Sequence, residues 1–170
     1  MATQVQGALA LRKALRNFEP DLAKETTKQI AGFLKPIVKD ARGFLPDNIY
    51  VPSGWVGKTS TGFPKYDATI ARRGVTYKTT PSKRNRSGFQ ALASIFNKTA
   101  AGAIYETAGR KAGVVGNFSP KLRGELKGST QKKTGRAIFR AYFQDQGKAT
   151  GAILKAIEAS ADKFNARREV

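Results

Sequence analysis

A chain of 170 residues, 40% hydrophobic and 25% charged, is long enough to bury one core and too short for two comfortable domains. It has no cysteine and no histidine, which excludes disulfides, zinc–thiolate centres, cysteine nucleophiles, histidine triads and histidine metal sites. Thirty-one Lys and Arg against twelve Asp and Glu give a net charge of +19, so an enzyme here would have only lysines and scarce carboxylates to work with, whereas a polyanion or an acidic protein surface would be strongly attracted. The charge is uneven: residues 1–62 carry nine basic and five acidic side chains, residues 63–170 twenty-two and seven, and from 63 to 140 the acids are Asp67, Glu106 and Glu125 alone. No apolar run is long enough to span a bilayer, and the start MATQVQGALALRK lacks the apolar core of a secretory signal, so no membrane partner is expected.

The first predicted elements are helical, over residues 8–44. ALALRKALRNF, from Ala8 to Phe18, reads as a short first helix. Asp21 to Phe44 places Leu22, Ile30, Phe33, Leu34, Ile37 and Val38 at helical spacing, with Pro20 at the start and the Gly43, Pro46, Asp47 cluster at the end. Pro36 inside it removes a backbone hydrogen bond and predicts a kink eased by Gly32. Residues 45–113 read as a β-rich region with large loops. In it, YDATIA and VTYKT form a hairpin turning at Arg73-Gly74, TTPSKRNRSG is an exposed basic loop, and FQALASIFN is a third strand or a short helix. AAGAIYETAGRKAG is apolar with glycines near its end, and residues 114–136 form a basic, glycine-rich loop with little to bury. A C-terminal helix follows over 137–167, with Ile153, Leu154, Ile157, Ala161 and Phe164 along one stripe and Gly147 as a break. The layout is α+β in a single domain spanning 1–170: an N-terminal and a C-terminal helix packed on a small antiparallel sheet with long basic loops.

Residues 52–59, PSGWVGKT, end like a nucleotide-binding loop, but Pro52 stands where the first glycine belongs and Gly62 and Pro64 break the helix that should follow Lys58. The segment therefore reads as a turn-rich loop, with Trp55 anchoring it or meeting another protein. Glu125-Leu126-Lys127 has the acid-x-Lys spacing of one class of Mg²⁺ nuclease, with Asp67 as the second carboxylate, but such tripeptides arise by chance in basic chains. No catalytic, cofactor or metal residue is assigned, and the chain is read as a non-enzyme. Two basic clusters are candidates for contact with DNA phosphates or an acidic partner: Lys83, Arg84 and Arg86, and the larger set Lys121, Arg123, Lys127, Lys132, Lys133 and Arg136. Neither is a sequence-reading motif, so binding would be non-specific and salt-sensitive. Tyr105, Glu106 and Arg110 either form a network orienting a subunit contact, or Ile104 and Tyr105 are core and Glu106 is the surface neighbour of a basic region; the second is preferred because buried aromatics usually serve packing.

The order of features, an amphipathic helix through LKPIVKDARGFLP, a β-rich middle, the AIYETAGR box and a C-terminal helix, resembles the tail-completion or neck proteins of long-tailed bacteriophages. Ala108-Gly109-Arg110 after the Glu resembles the versions found in phages of actinobacteria. The resemblance implies a non-enzymatic virion protein at the head–tail joint, assembled in the host cytoplasm. It implies a homo-oligomeric ring, typically sixfold, next to head–tail connector, tail-terminator and portal or capsid proteins, with genomic DNA passing through. The alternative from the residues themselves is a sequence-nonspecific nucleic-acid-binding protein.

Overall fold

The structure, a computed structural model, describes residues 7–48, 55, 64–108 and 135–168. Among them the fold is α+β, with six helices and one small antiparallel sheet. The helices are α1 (Ala8–Phe18), α2 (Pro20–Gly43), α3 (Ala68–Gly74), α4 (Ala100–Thr107), α5 (Ile138–Gln144) and α6 (Lys148–Arg168). The strands are β1 (Val75–Lys78) and β2 (Ser94–Asn97), paired with each other. The described residues fall into two compact units. One is drawn from Met1–Pro36, Tyr77–Ser94 and Gly147–Val170, the other from Ile37–Thr76 and Ile95–Gln146.

In the first unit α1 packs on α6. The apolar stripe of α2 recurs every four residues, and Leu22, Ile30 and Leu34 are buried with Leu15 of α1 and Ile157 of α6. Within that stripe Thr26 is buried too, its Oγ1 2.7 Å from Ser160 Oγ. Each hydroxyl also lies within bonding distance of its own i−4 carbonyl, Leu22 at 2.8 Å and Ala156 at 2.7 Å. With one hydrogen apiece, two of these three bonds can form at once. Gln146 (φ 52) and Gly147 (φ 79) stand in the left-handed region between α5 and α6, so the break expected at Gly147 is present.

In the second unit the C-terminal part of α2 buries Ile37 and Ala41, and the core continues through Leu45, Tyr66, Val75 and Tyr105. The chain leaving α2 is stitched down by side chains: Arg42 Nη2 donates to Val75 O at 2.8 Å, Arg72 Nη2 to Leu45 O at 2.9 Å, and Tyr66 Oη to Pro46 O at 2.9 Å.

The β-rich reading of 45–113 needs correction. The stretch expected to be the first strand of a hairpin, YDATIA, is instead the start of helix α3, which runs directly into β1. Asp67 decides it, because its Oδ1 accepts the N–H of Ile70 at 2.9 Å and so caps the first turn. The alternation of Tyr66, Ala68 and Ile70 was a false period: Tyr66 and Ala68 are buried, but Ala71 is the next buried position and Ile70 is exposed. β1 finds its partner in the SIFN of the third segment, and AAGAIYET is a helix opened by Thr99, whose Oγ1 accepts the Gly102 N–H at 3.1 Å.

Candidate functional site

The connection from β1 to β2, residues 79–93, carries Lys83, Arg84 and Arg86, all exposed, and contains no acid. It is tied at two levels. At its base, Arg12 of α1 spreads its guanidinium across both ends, Nη2 donating to Thr79 O at 2.7 Å and Nη1 to Leu92 O at 2.9 Å. Nearer the tip, Ser82 N–H donates to Ala91 O at 2.9 Å, Ala91 N–H returns to Ser82 Oγ at 2.9 Å, and Gln90 Nε2 donates to Ser82 O at 2.6 Å. The turn itself is closed by Asn85, whose N–H donates to Phe89 O and whose Oδ1 accepts Phe89 N–H, with Gly88 (φ +76) supplying the left-handed residue. Burial, and secondly the like charge of Arg16, push the Arg12 guanidinium below its ordinary value. Its two carbonyl acceptors offset that cost.

A second constellation lies in the other unit and is built the opposite way. Glu106, at the end of α4, is 5% exposed. One of its oxygens accepts the N–H groups of Ala137 (2.7 Å) and Ile138 (3.2 Å), and the other that of Phe139 (3.1 Å). The carboxylate therefore satisfies the open N–H groups at the start of α5, which lacks a side-chain cap of its own. Arg136, 6% exposed, reciprocates. Its Nη1 donates to Tyr105 O and its Nη2 to Ala108 O at 2.6 Å, occupying the open carbonyls at the end of α4. The guanidinium carbon also stands 5.6 Å from the Tyr105 ring centroid. A Cβ at Gly135 would sit 1.8 Å from Glu106 Oε1, so the chain can pass the carboxylate only as glycine.

Tyr105 continues an aromatic series, with ring centroids 6.3 Å from Tyr66 and Tyr66 5.1 Å from Trp55. Trp55 is 4% exposed and its Nε1 donates to Pro64 O at 2.7 Å. Asn97 forms a third knot at the α3–β1 and β2–α4 junctions. Its Nδ2 donates to Ala71 O at 3.0 Å and its Oδ1 accepts from both the N–H and the hydroxyl of Thr99. Gly74 and Gly102 flank it, and a Cβ at either would stand 2.3 Å or less from the Asn97 amide.

These positions sort the candidates from the sequence. Lys83, Arg84 and Arg86 are where they were expected, on an exposed loop, but the loop is ordered by Arg12, which the sequence did not single out. Arg136 is not available to a polyanion, because its charge is buried on the carbonyls of α4. Trp55, expected to anchor its loop or to meet another protein, is buried and donates to Pro64 O, while the rest of that loop lies outside the described residues. Glu106 is buried and bonded, which corrects its reading as a surface residue, and Tyr105 is core as preferred. Asp67, the supposed second nuclease carboxylate, caps α3. Lys121, Arg123, Lys127, Lys132, Lys133 and Arg110 lie outside the described residues, as do Glu125 and all of PSGWVGKT but Trp55.

Among the described residues no group of three or more His, Cys, Asp or Glu could hold a metal ion, and no helix is long and apolar enough to cross a membrane. No protein-family model, curated protein or solved structure matches the chain.

Proposed function

We propose that this chain is a structural, non-enzymatic protein of the head–tail joint of a long-tailed bacteriophage, one subunit of a closed ring that joins connector and tail-terminator rings and through which the genome passes. The observation that carries the reading is the use made of the AIYETAGR box. Its Tyr105 and Glu106 are spent on holding α4 to α5 through main-chain bonds, so the box acts as a scaffold motif, with no carboxylate left over for chemistry. That is what a box shared among structural subunits would be for. The exposed aromatics of α5, Phe139, Tyr142 and Phe143, add apolar surface of the type that subunit contacts cover.

Immunogold labelling of particles from the virus or strain encoding the chain, with antibody against the purified protein, tests the placement. Gold at the head–tail joint is expected. Intact tailed particles that neither label nor contain the protein on blots would remove the reading.

A further inference from the structure

The geometry points to the tip of the β1–β2 connection, residues 82–91, as a preorganised finger for the phosphate backbone of nucleic acid, with Arg12 as its positioning residue. The inference does not depend on placement at a head–tail joint.

Three observations favour phosphate over a protein surface. Lys83, Arg84 and Arg86 put three exposed cations within four residues, and no Asp or Glu occurs anywhere between Asp67 and Glu106 to neutralise them. A protein contact of useful affinity needs a desolvated apolar centre, whereas the one large apolar side chain exposed on this tip is Phe89, at 39%. The tip is also ordered before any partner arrives: Ser82, Asn85, Gln90 and Ala91 strap it, Gly88 turns it and Arg12 closes its base. A flexible basic loop would lose entropy on binding, and this one has largely lost it already. Since no base-reading motif is present, recognition rests on phosphates, and duplex and single strand are the two possible sources of that chemistry.

Arg12 does not itself face the ligand, because its Nη1 and Nη2 are turned inward onto Leu92 and Thr79 carbonyls. Its role is to fix the span between the two arms of the loop. Lysine, a point charge without the planar fork, does not reproduce this two-armed grip.

The test is fluorescence anisotropy of the full chain with a labelled random-sequence duplex of about 25 base pairs, and with one of its single strands, across a salt series. Poly-glutamate serves as the acidic polypeptide probe. Binding of a nucleic-acid probe with log K falling linearly in log salt is expected. Replacing all three cations, Lys83→Ala with Arg84→Ala and Arg86→Ala, should reduce the duplex slope by about 2.7 and weaken binding roughly a hundredfold at about 0.1 M salt, with circular dichroism unchanged. Arg12→Lys should weaken binding several-fold with the slope unchanged, since no phosphate contact is lost, and should speed amide exchange at Ser82, Asn85 and Ala91. Phe89→Ala separates the sources: roughly a tenfold loss confined to the single-strand probe identifies base stacking, and no loss on either probe identifies duplex backbone. A triple variant that keeps the wild-type affinity and slope overturns the finger, as does a wild-type chain that binds poly-glutamate and neither nucleic acid. An Arg12→Ala chain whose slope falls by about one relative to the parent overturns the positioning role. Particles that lack gold at the joint alongside intact finger binding would remove the neck reading and leave this one standing.

Discussion

Arg12 and Arg136 make the same kind of bond and serve opposite ends. Both give their guanidinium forks to two backbone carbonyls. Around Arg136 the ionic groups are consumed: Glu106 sits on three N–H groups, and neither side chain reaches solvent to any useful degree. Around Arg12 the bonds hold a loop so that other charges, Lys83, Arg84 and Arg86, remain in water. In a chain of net charge +19, which cations are interaction groups cannot be read from charge density. It depends on whether carbonyls within reach are already bonded, because an open helix end claims a guanidinium that a closed hairpin leaves out.

The contrast can be broken most forcefully at the clasp. Glu106→Ala leaves three N–H groups at the start of α5 without their acceptor and should cost about 3 kcal/mol or more, lowering the melting midpoint by roughly 6–12 °C in a calorimetric scan. Glu106→Gln, which keeps an acceptor oxygen, should fall between wild type and Ala. A loss below about 1 kcal/mol for Ala would mean that α5 is held by packing alone. Next in size, Gly102→Ala drives a Cβ to 2.1 Å from Asn97 Nδ2 and should destabilise by about 1–3 kcal/mol in urea unfolding, with an unchanged m-value. Trp55→Phe keeps the ring against Tyr66 and deletes the bond to Pro64 O, so about 1 kcal/mol should be lost. In the unsubstituted protein the emission of this sole tryptophan should be blue-shifted and poorly quenched by acrylamide, a red, easily quenched signal being the contrary result. Smallest of all, the triple Ala variant of Lys83, Arg84 and Arg86 should change stability by less than about 0.5 kcal/mol by thermal melting while its nucleic-acid binding collapses. A large drop in melting temperature there would place those cations in the fold and erase the contrast.

The α+β class, the long helix from Pro20, the C-terminal helix and the Gly147 break were all legible, because helical periodicity over many residues is a strong local signal. YDATIA was misread because six residues fit either period, and the side chain that settles the matter, Asp67, was counted as a strand residue and weighed as a nuclease carboxylate instead of being taken as a cap. The clasp was out of reach for a different reason. Glu106 and Arg136 look like one acid in a basic region and one cation in a basic loop, and their bonds connect residues 28–33 apart in sequence, which no spacing rule covers. Gly135 carried the sole local trace, since a glycine just before a helix start can mark backbone passing close to something. Arg12 left no trace at all: on α1 it is one more cation in an amphipathic segment, and its partners are 67 and 80 residues away.

The bond from Arg136 to Ala108 also closes a long span of chain. It holds the carbonyl of residue 108 at 2.6 Å from a side chain at residue 136, where the end of α4 meets the start of α5. Closure entropy grows only with the logarithm of loop length, about 0.6 kcal/mol per doubling. The Arg136–Ala108 bond is thus the point at which the cost of closing that span is met, and that cost changes only slowly with the number of residues the span contains.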